Sequence, residues 1–138
     1  MSVRIESVYQ GQLACESTHT PSGSTLTTDA PLDNGGQGRT FSPTDLVATA
    51  LGNCVMTILG LIAQRHDLDL TGMTVAVEKE MVATPKRRIG SLRTVVQMPS
   101  GLDLDQDMKQ RLETAARHCP VHQSLHDSVE APIDFRYD

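Results

Sequence analysis

The pattern of apolar and polar positions changes twice along the chain, from strand-like to helical and back to mixed. Residues 3–9 and 13–18 have the composition of strands, and the turn-forming residues between them predict a hairpin. Residues 25–28 predict a third strand after a Pro-Ser-Gly turn. The stretch 30–41 is polar and rich in glycine, so it predicts a loop.

A long helix is the clearest prediction. Ser42 is expected as its N-cap, with Pro43 at the first helical position and Asp45 completing a capping box in place of the usual glutamate. Apolar side chains then recur every three or four residues, which places them on one buried face, and the helix is expected to end near His66. The positions on that face are Leu46, Val47, Ala50, Leu51, Cys54, Val55, Ile58, Leu59 and Ile62.

The second half of the chain predicts a hairpin followed by another helix. Residues 73–81 and 89–98 read as two strands joined by a basic turn. A helix is then expected from Asp103, with Gln106 three residues later as its capping partner.

Pro120 is expected to interrupt this second helix, because proline cannot donate the helical hydrogen bond and disfavours a helical residue before it. A short helix then covers residues 120–126, and residues 131–137 form the last strand. The predicted order is βββ-α-ββ-α-α-β, an α+β fold with the long helix against an antiparallel sheet. No linker divides the chain, so residues 1–138 are expected to form a single domain.

Composition adds a tendency to associate. Aromatic residues are 3% of the 138 and tryptophan is absent, so the core is built from aliphatic side chains. A small aliphatic core that does not close on itself favours oligomers.

Charge and hydropathy exclude several classes of partner. The net charge is -5 and no basic cluster is present, which argues against binding to nucleic acid or to an anionic membrane. The stretch from Leu46 to Ala63 is apolar but is interrupted by polar residues and glycine, as expected of a core helix rather than a membrane span. The first ten residues lack the apolar stretch of a signal peptide, so the expected location is cytoplasmic.

Three cysteines carry the candidate chemistry. Cys119 directly precedes Pro120, where it is expected to cap the short helix, and free N–H groups at a helix start stabilise a thiolate. The alternative is a small apolar filler at a helix break. Cys54 lies on the apolar face of the long helix, where core packing is the commoner role, although the neighbouring Gly52 indicates a close approach to the backbone. Cys15 lies in a predicted strand without such a setting.

Other polar residues have alternative interpretations. His118, His122 and His126 are spaced by four around Cys119, so a Cys/His metal site is conceivable beside ordinary surface or cap roles. Arg39 either lies over a thiolate or an anionic substrate, or is a solvated loop charge. Asp45 is about 13 Å from Cys54 along one helix, so capping is its better interpretation.

At these positions the sequence resembles the OsmC/Ohr superfamily, the osmotically inducible and organic hydroperoxide resistance proteins. The resemblance covers nearly the whole chain, and a helical cysteine paired with a later Cys-Pro is specific. The matching segments are Gly35-Gly36-Gln37-Gly38, Ser42-Pro43-Thr44-Asp45-Leu46 with Cys54 eleven residues after Pro43, and His118-Cys119-Pro120-Val121.

The resemblance implies an intertwined homodimer with two long central helices and active sites at the subunit interface. It implies a thiol-dependent peroxidase for organic hydroperoxides, acting in stress defence without metal or haem and reduced by a dithiol. Cys54 would be the peroxidatic cysteine and Cys119 the resolving one, with the peroxide first converting Cys54 to a sulfenic acid. Arg39 would polarise the thiolate or the peroxide, and Asp45 is a weaker candidate for a catalytic carboxylate.

The sequence departs from the well-characterised members at the start of the long helix. They carry glutamate directly after the proline, where this chain has Thr44; Arg39 lies closer to the helix than their arginine, and His122 stands where many have serine. The pattern is more similar to a less-characterised OsmC-like branch. The alternative function is therefore a non-enzymatic dimer that binds a small apolar or thiol-reactive ligand at the subunit interface.

Overall fold

A computed structural model describes all residues, 1–138, and confirms the predicted α+β class and order of elements. The strands are β1 (Ile5–Gly11), β2 (Ala14–His19), β3 (Thr25–Asp29), β4 (Thr74–Val82), β5 (Arg88–Gln97) and β6 (Ile133–Arg136). The α-helices are α1 (Pro43–Arg65), α2 (Gln106–Arg117) and α3 (Pro120–Ser124), and a single 3-10 turn covers Leu32–Asn34. The chain divides into two compact units, residues 1–47 and 48–138, and the prediction of a single domain stays a prediction.

The first unit is a three-stranded antiparallel sheet in the order β1-β2-β3. Its buried residues are polar: Thr28, Asp29 and Ser42. Its large apolar side chains are exposed instead, at Val3, Ile5, Val8, Tyr9, Leu13, Leu26, Leu32 and Phe41. Residues 1–47 therefore have no buried apolar core of their own.

The second unit is built on a mixed sheet in the order β4-β5-β6. β4 and β5 form the expected antiparallel hairpin, but β6 pairs with β5 in parallel, with Thr94 opposite Ile133. A parallel pair needs a crossover connection, and α2 and α3 supply it between β5 and β6. The entirely antiparallel sheet expected from the sequence is therefore replaced by a mixed one, because periodicity predicts a strand without its direction.

The core of the second unit lies between α1 and this sheet. Leu51, Val55 and Leu59 form the fully buried stripe of the helix, and Leu92 and Val96 are fully buried on β5. Residues three and four apart share one helix face, so this spacing explains why the segment folds as an amphipathic helix against the sheet.

Gly52 marks the closest approach of α1 to β4. A Cβ at this position would lie 3.0 Å from Val75 Cγ1 and 3.0 Å from Val77 Cγ2. The absence of a side chain at residue 52 therefore allows α1 to pack closely against β4.

The substitution Gly52→Ala is expected to lower the free energy of unfolding by about 1 kcal/mol. The methyl group gains about 1 kcal/mol of helix propensity, but overpacking against two valines costs about 2 kcal/mol. Gly60→Ala is the matched control on the same helix, because nothing lies within 4 Å of its added methyl, and it should raise the free energy of unfolding by about 1 kcal/mol. Urea denaturation at one protein concentration measures both, and equal effects would contradict the packing argument.

By length and composition, α1 is the one helix that is long and apolar enough to cross a membrane. A third of the tested window is buried within the chain. The core helix of a soluble protein passes the same test, so this property alone does not separate the two cases.

Candidate active site

Cys54 lies at the edge of the buried stripe of α1. Its neighbour Val55 is fully buried, whereas Asn53 is exposed, and Cys54 itself is half-buried. The helix turns about 100° per residue, so its position between these two leaves the thiol partly accessible while one side of it faces the core.

Cys119 occupies the junction between α2 and α3 and is fully buried, with 0% of its surface accessible. It is the N-cap of α3, as the sequence predicted, and its Sγ accepts a hydrogen bond from the His122 backbone N–H at 3.4 Å. Pro120 is at the first helical position and ends the run of α2. The sulfur is thus held at a helix start but away from water.

Two hydrogen bonds fix this junction to the last strand and the residues before it. Arg117 Nη2 donates to the Ile133 carbonyl at 3.4 Å, and His122 Nε2 donates to the Ala131 carbonyl at 3.1 Å. Because residues 117 and 122 flank Cys119, the position of the buried thiol depends on the segment that carries β6.

The structure brings Cys54 and Cys119 together within the second unit, and both are free thiols. Burial is the main cause that raises the pKa of Cys119, and interaction with the adjacent Cys54, by hydrogen bonding and by charge, raises it further. The His122 and Val121 backbone N–H groups act in the opposite direction but are outweighed. The expectation that the helix start would lower the pKa of Cys119 and make it an activated thiolate is therefore wrong in sign, because burial raises that pKa.

The three histidines near Cys119 are engaged separately. His118 Nδ1 donates to the Thr114 carbonyl at 2.8 Å, and His126 Nδ1 shares a hydrogen bond of 2.7 Å with Ser128 Oγ. His122 bonds to Ala131, as described above. No three His, Cys, Asp or Glu side chains are grouped as metal ligands, so the structure does not assemble the conceivable Cys/His metal site.

Arg39 lies in the first unit, paired with a residue that the sequence did not single out. Its backbone N–H and its Nε both donate to Asp29 Oδ2, at 3.1 and 2.9 Å. The Asp29 side chain is 1% accessible, whereas that of Arg39 is 49% accessible. The hydrogen bond from the guanidinium is the main cause that lowers the pKa of Asp29. Arg39 is therefore fixed by a buried carboxylate rather than being a freely solvated loop charge.

Asp45 and Ser42 form the predicted capping box at the start of α1. Ser42 Oγ accepts the Asp45 N–H at 3.1 Å, and Asp45 Oδ2 accepts the Ser42 N–H at 2.9 Å. Thr44 Oγ1 lies 3.2 Å from Ser42 Oγ. The Asp45 carboxylate thus has a structural role at this helix start.

Sequence reasoning missed Asp29 because nothing in its local pattern distinguishes it. It ends β3 next to a polar loop, where an acidic residue is ordinarily solvated. The one available signal was the presence of a single arginine in that loop, which would have to find a counter-charge if it were held in place.

Comparison with known proteins supports the resemblance. Residues 36–133 match the family described as OsmC-like protein. No functionally curated protein matches the sequence.

Solved structures share the fold over the whole chain. A protein from Psychrobacter arcticus 273-4, named for osmotic stress induction and a detoxification response, is 35% identical with a TM-score of 0.89, over 96% of this chain and 94% of that one. The organic hydroperoxide resistance protein OsmC of Legionella pneumophila is 17% identical with a TM-score of 0.79, over 99% and 98%. The organic hydroperoxide resistance protein OhrB of Bacillus subtilis is 18% identical with a TM-score of 0.71, over 99% and 98%.

Proposed function

The chain belongs to the OsmC-like protein family, and from this premise we propose that it is a thiol peroxidase that reduces organic hydroperoxides through Cys54 and Cys119. The names of the Legionella pneumophila and Bacillus subtilis structures, both organic hydroperoxide resistance proteins, support this substrate class. The name of the Psychrobacter arcticus structure supports a role in stress defence.

The observation that carries the proposal is the unequal pair of thiols. Cys54 is half-buried and accessible to a small peroxide, while Cys119 is fully buried beside it and its pKa is raised. A buried thiol whose pKa is raised can donate its S–H to the sulfur of an accessible cysteine beside it. This difference supports attack by Cys54 and resolution by Cys119.

The reaction follows from these two positions. The Cys54 thiolate attacks the outer oxygen of the hydroperoxide, the O–O bond breaks, and the alkoxide takes a proton to leave as an alcohol. Cys54 is then a sulfenic acid. The Cys119 sulfur attacks the Cys54 sulfur, the hydroxide leaves with the Cys119 proton as water, and a disulfide remains. A small dithiol reduces this disulfide by exchange and is itself oxidised.

Arg39 keeps the proposed role of polarising the thiolate or the peroxide, which stands on the family resemblance. Asp29 would hold its guanidinium in one orientation. Asp45 remains a weaker candidate, because its carboxylate belongs to the capping box. A cytoplasmic location belongs to the same proposal, since a reducing compartment returns both thiols to the active state.

A homodimer is part of the proposal because of the apolar side chains that the chain leaves exposed. The first unit buries no apolar residue, and only a third of the apolar window of α1 is buried. A second copy that covers these surfaces would supply the missing core, as the intertwined dimer implied by the resemblance does. Light scattering should give the mass of two chains of 15.0 kDa, and a monomer at micromolar concentration would contradict the dimer.

The direct test is rapid-mixing measurement of peroxide consumption by the reduced protein with a dithiol present. An alkyl hydroperoxide should be consumed faster than hydrogen peroxide, and prior alkylation of the thiols should abolish the reaction. Reactivity no faster than that of free cysteine would instead favour the non-enzymatic binding dimer, an alternative that Thr44 at the glutamate position supports.

A further inference from the structure

An open cleft of about 600 Å³ lies between the last turn of α1 and one face of α2, apart from the two thiols. From the end of α1 it is lined by Ile62 and Arg65, and by His66 directly after the helix. From α2 and its C-cap it is lined by Asp107, Gln110, Arg111, Thr114, Ala115 and the C-cap residue His118. Its volume is within the range of about 300–1,000 Å³ that small-molecule sites occupy.

The charge of this cleft is opposite to that of the chain. The protein carries a net charge of -5, but the cleft contains two guanidinium groups, Arg65 and Arg111, against the one carboxylate of Asp107. No hydrogen bond or ion pair within the chain engages the Arg65 guanidinium. Basic side chains from two different helices thus converge on one opening, with Ile62 and Ala115 as apolar wall.

Asp107, the single acidic residue of the cleft, forms only a weak ion pair. Asp107 Oδ2 accepts from Arg111 Nε at 3.2 Å, but both side chains are exposed. An exposed pair four residues apart on a helix contributes little to stability, so an incoming anion can compete with Asp107 for Arg111. An anion in the cleft would then contact both arginines.

A further hydrogen-bond acceptor lines the same opening. His118 Nδ1 donates to the Thr114 carbonyl, so Nε2 of the neutral ring is an acceptor. Gln110 offers both donor and acceptor atoms. A ligand with an anionic group, a short apolar part and a hydroxyl or N–H group therefore matches all of the polar chemistry present.

We propose that this cleft binds a small organic anion, a carboxylate or a phosphate ester, between Arg65 of α1 and Arg111 of α2. Guanidinium groups form paired hydrogen bonds with either anion, which is why the two chemistries share one site. Neither Cys54 nor Cys119 is among the residues that line this cleft.

The simpler role for Arg65 is to stabilise the end of α1, where a cation interacts favourably with the last carbonyl groups. That role requires no ligand and predicts a small loss of thermal stability when Arg65 is replaced. It does not explain why Arg111 of α2 and His118 directly after α2 line the same opening. Only the proposed site predicts that an anion binds at Arg65, and anion binding can be measured directly.

The test is calorimetric titration of the reduced full chain with benzoate and with phenyl phosphate as probes, and with benzyl alcohol as the neutral analogue. Both anions should bind and the alcohol should not. Tighter binding of benzoate would indicate a carboxylate site, and tighter binding of phenyl phosphate would indicate a site for phosphate esters. Arg65→Gln should weaken binding about tenfold or more, as expected for the loss of a charged hydrogen bond. Asp107→Asn should instead strengthen it several-fold, because it removes the competing carboxylate.

Charge-matched controls lie elsewhere in the second unit. Arg93→Gln on β5 and Asp134→Asn on β6 change the net charge of the chain equally, and both positions are exposed outside the cleft. They should leave affinity unchanged. Failure of both anions to bind, including through cover of the cleft by a second copy, overturns the proposal, as do equal effects of Arg65→Gln and Arg93→Gln.

Discussion

Replacing Cys54 by serine is expected to lower the rate of organic hydroperoxide reduction by about 10³-fold or more. The thiolate is the only group at this position that can attack the peroxide oxygen, and a serine hydroxyl is hardly ionised at neutral pH. Loss of an attacking nucleophile has effects of at least this size in other enzymes. Rapid-mixing measurement of peroxide consumption in the presence of a dithiol gives the rate directly.

Cys15→Ser is the matched control, because it makes the same change at a cysteine in another setting. Cys15 is half-buried on β2, opposite Tyr9 and Thr28 in the first sheet. Its replacement should leave the rate unchanged. A Cys54→Ser protein that consumes peroxide at the wild-type rate would refute the thiol peroxidase.

Replacing Cys119 by serine is expected to preserve the first reaction with peroxide but to slow the turnovers that follow. Serine still accepts the His122 N–H as an N-cap, so α3 is retained, but no second thiol is available to form the disulfide. The initial reaction of Cys54 should therefore remain. Steady turnover should fall by about a hundredfold, since a positioned thiol reacts far faster than one from solution.

Mass spectrometry after one equivalent of peroxide distinguishes the two proteins. The wild type should lose two thiols and form a Cys54–Cys119 disulfide without added oxygen. Cys119→Ser should keep one additional oxygen on Cys54, which a sulfenic-acid reagent traps. A wild-type protein in which Cys54 is oxidised by one equivalent of peroxide while Cys119 keeps its thiol would remove Cys119 from the mechanism.

Local sequence signals predicted the elements well and their ends less well. The long helix begins at Pro43 with the capping box of Ser42 and Asp45, as expected. The next helix was expected from Asp103, but Asp105 is its cap, accepting the Met108 N–H at 2.8 Å. Both positions hold an aspartate in a suitable local pattern, and only tertiary packing selects between them.

In the candidate site, the sequence predicted the position of a residue but not its electrostatic environment. The N-cap position of Cys119 was predicted from Pro120 and is confirmed, yet the direction of its pKa shift was not. A helix start lowers a thiol pKa, whereas desolvation raises it, and the degree of burial depends on contacts distant in sequence. The buried pairing of Asp29 with Arg39 was missed for the same reason.

During synthesis, Cys119 leaves the ribosome before the segment that fixes its position. The carbonyl groups that anchor Arg117 and His122 belong to Ile133 and Ala131, which follow Cys119 in the chain. β6 joins the sheet only by pairing with β5, which is about forty residues earlier. The thiol pair is therefore assembled only after the segment containing β6 has been made and has paired with β5, so a nascent chain that has reached only Cys119 does not hold a preformed site.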